Sequence, residues 1–157
     1  MLATDIVFEE LTRFIVQAKA ASYAGGGGET TSSRTGSHDL FFKDGLYAYP
    51  DSYFGASDFI GQEVVYYQEI PVWAMNYYGR ILEPEKISGE QTGTIIKQSL
   101  SKLYQESRFL GGFKFIVADC TYIDTNRGDV SSFTGQEWIL RDAVKVYELD
   151  YHGGLIR

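Results

Sequence analysis

Residues 61–79 read GQEVVYYQEIPVWAMNYYG, and this segment carries the clearest strand pattern of the chain. It is rich in β-branched and aromatic residues, which favour strands, and Gln68-Glu69 near its middle predicts a hairpin turn. Around that turn, Glu63, Asn76 and Tyr78 fall on one face of the hairpin, because side chains alternate along each strand. Gln-Glu is an uncommon turn pair, so the register stays open. Both faces are largely apolar, which predicts a central pair of strands covered on both sides.

Shorter strand patterns lie on either side of this hairpin. Upstream, Asp44-Gly45 is a favoured two-residue turn between two apolar runs, which predicts another hairpin over residues 39–51. Downstream, β-branched and aromatic residues predict strands at 114–124, 137–140 and 144–151. No strand–helix–strand alternation recurs, so the pattern predicts a mainly antiparallel, hairpin-rich sheet of about six or seven strands.

Two helices complete the predicted domain. Apolar residues recur at helical spacing over about residues 5–21 and again over about residues 91–105. Thr4 is a reasonable N-cap for the first helix, and the four glycines at 25–28 end it. The apolar positions are Val7, Leu11, Phe14 and Ala18 in the first helix and Ile96, Leu100 and Leu103 in the second. The chain therefore reads as a single α+β domain, residues 1–157, in which two α-helices pack on the sheet and no internal repeat is visible.

The overall charge argues against some classes of partner. The chain carries 14 Lys and Arg against 21 Asp and Glu, a formal net charge of −7 with a pI near 4.8. Nucleic-acid binding draws most of its affinity from basic side chains on phosphates, and the bases here form no run. The same reasoning disfavours anionic membrane surfaces. The sequence therefore predicts no direct nucleic-acid binding and no membrane association.

The patterns of cysteine, histidine and apolar residues argue against a disulfide, a metal site and a membrane helix. Cys120 is the single cysteine, so it cannot form an intrachain disulfide, and the two histidines form no HExxH metal pattern. No stretch approaches the 18 or so apolar residues of a membrane helix, and the first ten residues lack the features of a signal peptide. We therefore expect a cytoplasmic protein without a metal or cofactor.

The segment around the long hairpin is both aromatic and acidic. Residues 37–79 hold 12 of the 24 aromatic residues, and six acids against one base give them −5 of the chain's net −7. Strands of this composition can line a concave surface with aromatic rings and place carboxylates at its edge. The pattern favours binding of a small polar or cationic ligand. The sequence leaves open whether the chain forms a homo-oligomer.

Six residues form the predicted ligand site. Glu63 and Asn76 share a face in the predicted register, where a partly desolvated carboxylate has a raised pKa and can anchor a ligand. The structural alternative is a hydrogen bond within this pair or an ion pair of Glu63 with Arg80. Arg34, in the polar loop 29–36, could clamp an anionic group, and aromatic rings could form the walls. The predicted ligand-binding residues are Arg34, Glu63, Tyr67, Trp73, Asn76 and Tyr78.

Two other functions remain open. A hydrolase or lyase could use Glu63 or Glu137 as its base, and Glu137 with His152 could be an acid–base pair, although no GxSxG motif accompanies them. A protein-interaction module would expose aromatic residues on an edge strand. The glycines at 25–28 lack the sequence context of a phosphate loop and are interpreted as a helix stop. The sequence favours a sensor-like small-molecule-binding domain and assigns no catalytic residue.

Five motifs also carry a resemblance to a known family. They are YAGGGG (23–28), DSYFG (51–55), FIGQEVVYY (59–67), WAMNYYG (73–79) and YHGG (151–154). The chain resembles a bacterial family of domains of unknown function that occur alone or fused C-terminal to helix-turn-helix (XRE-like) transcriptional regulators. The resemblance implies a sensor or effector-binding role. Because no helix-turn-helix segment precedes Thr4, this chain is expected to correspond to the stand-alone form.

Overall fold

The computed structural model of the protein describes residues 6–24 and 28–157. The predicted N-cap at Thr4 and three of the four glycines that were expected to end the first helix lie outside the described residues.

Both predicted helices are present. Helix α1 spans Phe8–Lys19 and continues into a π-helical turn, Ala20–Ala24, while helix α2 spans Gly89–Gln105. At the start of α2 the Ser88 hydroxyl accepts a bond from the Gln91 backbone, and the Gln91 side chain accepts one from the Ser88 backbone. This capping box satisfies amides that a helix start otherwise leaves unpaired, which explains why α2 begins two residues earlier than predicted.

Eight strands form one antiparallel sheet within the described part of the chain. The first four follow α1 and the last four follow α2. Their bounds are β1 His38–Asp44, β2 Tyr47–Gly55, β3 Phe59–Tyr67, β4 Ile70–Ile81, β5 Phe113–Val117, β6 Cys120–Asp129, β7 Ser132–Arg141 and β8 Val144–Leu155. The α+β class and the antiparallel sheet are confirmed. The expected six or seven strands become eight because 114–124 is a hairpin, which turns at Ala118 with a φ of 54°.

The sheet order is β1-β2-β3-β4-β8-β7-β6-β5, so the molecule consists of two halves, each a helix followed by a four-stranded meander. The halves meet at β4 and β8, which pair antiparallel with Tyr77 opposite Tyr151. In the described part of the chain, the unit of one helix and a four-stranded meander therefore occurs twice. The sequence-based expectation of no repeat was therefore wrong.

A β-bulge in the long hairpin changes which side chains share a face. The turn lies at Gln68-Glu69 as predicted, and both residues have positive φ. The register then shifts between Val65 and Tyr66. Beyond the bulge Glu63 pairs with Met75, so the predicted common face of Glu63 and Asn76 is wrong. One extra residue in one strand exchanges the two faces of everything beyond it.

The helices cover one side of the sheet, which we call the inner face. Helix α1 contacts β1 and β2, and α2 contacts β5 and β6. The inner face carries the core aromatic residues Trp73, Tyr77, Tyr147 and Tyr151. The opposite, outer face of β4 is solvent-exposed, so the expected covering of the hairpin on both sides is wrong for the described residues.

Candidate functional site

A small, partly enclosed cavity lies between the inner face and α2, close to where the two halves meet. Its volume is about 50 Å³, and a buried water needs about 10–15 Å³, so it has room for roughly four water-sized groups. One lysine and several acidic, aromatic and aliphatic side chains surround it. They are Lys19, Glu63, Met75, Tyr77, Leu100, Leu103, Tyr104, Phe109, Asp124, Glu137, Leu149 and Tyr151.

Lys19 and Glu63 form a buried ion pair at one end of the cavity. The Lys19 Nζ lies 2.9 Å from Glu63 Oε1 and 3.1 Å from Oε2, and both side chains are almost completely buried. The Tyr49 hydroxyl donates to the same carboxylate. The Lys19 Nζ also lies 3.7 Å from the Met75 sulfur and 5.4 Å from the centre of the Phe109 ring. A buried carboxylate that accepts hydrogen bonds from two side chains, one of them a cation, is well compensated.

Two buried aspartates each accept a short hydrogen bond from a tyrosine. Tyr77 donates to Asp51 and Tyr151 donates to Asp124, both at 2.6 Å. Burial raises the pKa of each aspartate to about 6, while the tyrosine bond and the charge of Lys19 act in the opposite direction. Near neutral pH both aspartates are therefore largely ionised but poised to take up a proton.

Glu137 is a carboxyl group of the cavity without an ion-pair partner among the described residues. Its side chain is half-buried and lines the cavity. None of the described lysines and arginines lies within ion-pair distance of Glu137 or Asp124. Burial and then the negative charge of Asp124 raise the pKa of Glu137 to about 8, against the opposing effects of the Tyr122 hydroxyl and Lys19. Glu137 is therefore largely protonated at neutral pH.

Burial also keeps the tyrosines of the site neutral. It raises the pKa of Tyr122 and of Tyr151, and the nearby acids Glu137 and Asp124 raise it further. Neutral phenols donate hydrogen bonds, which suits a site whose other polar groups are carboxyls. The Tyr122 hydroxyl makes no hydrogen bond of good geometry with any described group, although it acts on the pKa of Glu137.

Two glycines make room for the paired tyrosines. Gly61 lies opposite Tyr77 in the β3–β4 pair, and Gly135 lies opposite Tyr151 in the β7–β8 pair. A Cβ atom at Gly61 would overlap the Tyr77 phenol, and one at Gly135 would overlap the Tyr151 ring. The missing side chains allow each ring to lie flat across the neighbouring strand and reach its aspartate.

Of the six predicted site residues, Glu63 lines the cavity. Trp73 is fully buried instead, where its Nε1 donates to the Val130 carbonyl at 3.0 Å and its ring stacks on Phe133. Tyr67 lies at the far end of β3, with its ring centre 4.8 Å from that of Tyr47. Both aromatic residues therefore pack within the fold, away from the cavity.

The other three predicted residues lie at the surface. Asn76 is on the outer face, bonded to Gln62 at 2.8 Å and 3.1 Å from a ring nitrogen of His152. Tyr78 is 45% exposed on the same face. Arg34 bonds to Ser52 and lies 4.4 Å from the Phe54 ring centre. The structure thus does not bring the six together.

Sequence reasoning missed Lys19, Asp124 and Tyr151 and considered Glu137 only as a possible base. A signal exists for Lys19, because it follows Leu11 and Ile15 at intervals of four along the apolar side of α1. Asp124 and Tyr151 carry no such local signal. They come together through the pairing of β6, β7 and β8, which follows from the sheet topology.

The described residues do not support a metal centre or a membrane span. Their Asp, Glu, His and Cys side chains include no group of three arranged to hold a metal ion. Neither described helix is long and apolar enough to cross a membrane. Chemically, the cavity can hold a small cation against carboxylates or exchange protons through Glu137 and Asp124.

Comparison with known proteins identifies a family. No curated protein and no solved structure matches the chain. Residues 51–156 match a family profile, a region that runs from β2 to the end of β8 and contains both halves' carboxyl–tyrosine pairs. Since this match covers more than half of the chain, the protein belongs to the family described as Domain of unknown function (DUF5680).

Proposed function

We propose that this protein is a small-molecule-binding domain whose cavity takes a small organic cation. The observation that carries the proposal is the position of Glu137. It faces the cavity beside Asp124, and none of the lysines and arginines in the described ranges lies within ion-pair distance of either. A cation in the cavity would supply the missing charge and allow both carboxyls to ionise.

The remaining walls fit an organic ligand. Leu100, Leu103 and Leu149 offer apolar contact, and Phe109 and Tyr104 offer ring faces that attract cations. Phe109 already contacts the Lys19 ammonium in this way. A site with a few convergent polar groups on an otherwise apolar wall is typical of small-molecule recognition.

The resemblance to domains fused behind helix-turn-helix regulators supports a sensor-like role. In such a role the ligand changes the shape or stability of the domain rather than being consumed. The cavity lies where α1, α2 and both meanders meet, because its lining comes from all four. A bound ligand would therefore tie the two halves of the sheet and both helices together.

A second function, acid–base catalysis, is favoured by one observation. Glu137 and Asp124 face each other across β6 and β7, and their pKa values are raised to about 8 and about 6. At neutral pH one is mainly protonated and the other mainly ionised, which is the division of roles that proton-transfer enzymes use. Turnover of a cavity ligand with a bell-shaped pH profile would favour this function.

A thermal-shift screen with small ammonium compounds and matched neutral compounds tests the binding proposal. A ligand at 100 times its dissociation constant adds about 2.7 kcal/mol to the stability of the folded state. We expect cations to raise Tm in the wild type and to lose this effect in Glu137→Gln. The matched control is Glu85→Gln, which makes the same substitution in an exposed loop. If no compound shifts Tm, or if Glu137→Gln responds like the wild type, the proposal is wrong.

A further inference from the structure

We propose that the ligand carries a primary ammonium group, which occupies in the second half of the molecule the position that Lys19 occupies in the first. This inference rests on the proposed function and specifies the class of its ligand, a short primary alkylamine. It follows from a comparison of the two halves of the repeat, residue by residue.

The strand pairings place the two glutamates at equivalent positions. In the first half Glu63 pairs with Asp51 on one side and Met75 on the other. In the second half Glu137 pairs with Asp124 on one side and Leu149 on the other. The tyrosines agree as well, because Tyr77 bonds to Asp51 as Tyr151 bonds to Asp124. Each half therefore builds the same carboxyl pair on the inner face.

The first half already holds an ammonium group. The Lys19 Nζ contacts both oxygens of Glu63, the Met75 sulfur and the face of Phe109. In the first half, therefore, the glutamate of the carboxyl pair already binds an ammonium group. A primary ammonium offers three N–H donors, which match the several acceptor positions of adjacent carboxylates.

The second half lacks an ammonium of its own. The buried positions of α1 recur in α2 at the same spacing, Leu11, Ile15, Ala18 and Lys19 against Thr92, Ile96, Ser99 and Leu100. Leu100 thus stands where α1 has Lys19, and it lines the cavity beside Glu137. The space that an internal lysine would fill in the second half is open, and the carboxyls that would receive its charge face that space.

The cavity sets the size and character of the amine. Its volume of about 50 Å³ admits roughly four water-sized groups, which corresponds to a short chain such as n-propylammonium. The alkyl part would pack on Leu100 and Leu103, and the ammonium would lie between Glu137 and Asp124. A quaternary ammonium has the charge but no N–H donor, so the site should bind it much more weakly.

An NMR titration with n-propylammonium chloride tests the inference. We expect saturable shift changes at residues around the cavity in the wild type, and at least tenfold weaker binding of the neutral isostere 1-propanol and of tetramethylammonium. Glu137→Gln should bind n-propylammonium at least tenfold more weakly, whereas Glu85→Gln should bind like the wild type. Equal binding of the amine and the alcohol, or undiminished binding to Glu137→Gln, would overturn the inference.

A second variant supplies the missing lysine. Leu100→Lys should place an internal ammonium at Glu137, as Lys19 does at Glu63, and should therefore abolish binding of n-propylammonium. Gln98→Lys is the control, because it adds a lysine on the exposed side of the same helix and should retain binding. A folded Leu100→Lys protein that binds the amine like the wild type would contradict the inference. If Leu100→Lys does not fold, the Glu137→Gln titration decides.

The two proposals fail in distinguishable ways. If another class of cation raises Tm through Glu137 while n-propylammonium gives no shift, the primary-amine inference is wrong and the proposed function stands. If neither the screen nor the titration finds a ligand that depends on Glu137, both are wrong.

Discussion

Lys19 is the residue on which the charge balance of the cavity depends. The carboxyl groups of Asp51, Glu63, Asp124 and Glu137 lie on the inner face, and Lys19 forms an ion pair with one of them, Glu63. Its charge lowers the pKa of both aspartates and of Glu137. A buried ion pair adds little net stability, but the loss of one partner leaves an uncompensated charge in the interior.

We expect Lys19→Met to destabilise the protein strongly. Removing one member of a buried ion pair costs on the order of 3–5 kcal/mol, because the other charge stays buried without compensation. Chemical denaturation measures this loss. Adding Glu63→Gln to Lys19→Met should recover part of it, since the unpaired charge is then removed.

An exposed lysine provides the control for this experiment. Lys97 lies on the solvent side of α2, so Lys97→Met should change the free energy of unfolding by less than about 0.5 kcal/mol. A Lys19→Met protein as stable as Lys97→Met would show that the buried pair is not important for folding.

At this scale the sequence identified Glu63 correctly as a polar residue among apolar ones, and the structure places it in the cavity. Asp124 could not be found in this way. It follows Ile123 in a strand pattern that reads as an ordinary strand end, and its partner Tyr151 lies 27 residues further along the chain. Only the pairing of β6, β7 and β8 brings the two together.

At the scale of elements, the β-bulge explains the largest error in the predicted site. The strands and the turn of the long hairpin were predicted correctly, yet the register shift at Val65 and Tyr66 moves Asn76 and Tyr78 to the outer face. A bulge leaves no clear mark in the alternation of a segment that is apolar on both faces. The same shift places Met75 and Tyr77 beside Glu63 on the inner face.

Short turns account for the remaining differences between predicted and observed strands. The loop of the first hairpin is Gly45-Leu46, one residue later than predicted, since Asp44 pairs with Tyr47. The Ala118-Asp119 turn divides one predicted strand into β5 and β6. Ala is not a favoured residue at positive φ, so sequence alone gave no indication of this turn.

We expect Gly135→Ala to destabilise the protein by about 1–3 kcal/mol, as is typical of overpacking. The new Cβ would overlap the Tyr151 ring and push its hydroxyl away from Asp124. Thermal or chemical denaturation measures the loss.

The glycine in the middle of α2 is the matched control. A Cβ at Gly93 would enter open space, so Gly93→Ala should stabilise the protein by up to about 1 kcal/mol through helix propensity. If Gly135→Ala proves neutral or stabilising as well, the close packing of Tyr151 on β7 is not required.

At the scale of the whole molecule, the fold is a helix and a four-stranded meander used twice. The sequence conceals this repeat because its halves share residue types at only a few inner-face positions. Three pairs of identical residues are each separated by 74 positions in the chain. The pairs are Glu63 and Glu137, Tyr77 and Tyr151, and Gly61 and Gly135. Elsewhere the halves diverge, and Leu100 occupies in α2 the buried position that Lys19 occupies in α1.

The raised pKa values make the stability of the whole protein depend on pH. The carboxyls Asp51, Asp124 and Glu137 bind protons more tightly in the folded than in the unfolded state, since their pKa values rise from 3.8 or 4.5 to about 6, about 6 and about 8. Between about pH 4 and pH 8 the folded state therefore holds more protons, so the free energy of unfolding falls as pH rises.

Urea denaturation at pH 5, 6, 7 and 8 measures this dependence. Above pH 6 the fall should come mainly from Glu137, so Glu137→Gln should flatten that part of the curve while Glu85→Gln leaves it unchanged. Some carboxyl groups, such as Asp39, have a lowered pKa in the folded state. They change the free energy of unfolding only at pH values near and below the ordinary pKa of a carboxyl group, so they do not offset the fall between pH 6 and pH 8. Stability that is constant or rises from pH 6 to pH 8 would contradict the expectation.

We propose above that the Glu137 carboxyl binds an external cation in the cavity. The most direct test is a ¹³C NMR titration of the Glu137 side-chain carboxyl, with and without n-propylammonium. We predict a midpoint near pH 8 in the free protein and a clearly lower midpoint in the presence of the amine. A midpoint in the ordinary range of glutamate, or one that the amine does not move, would contradict it.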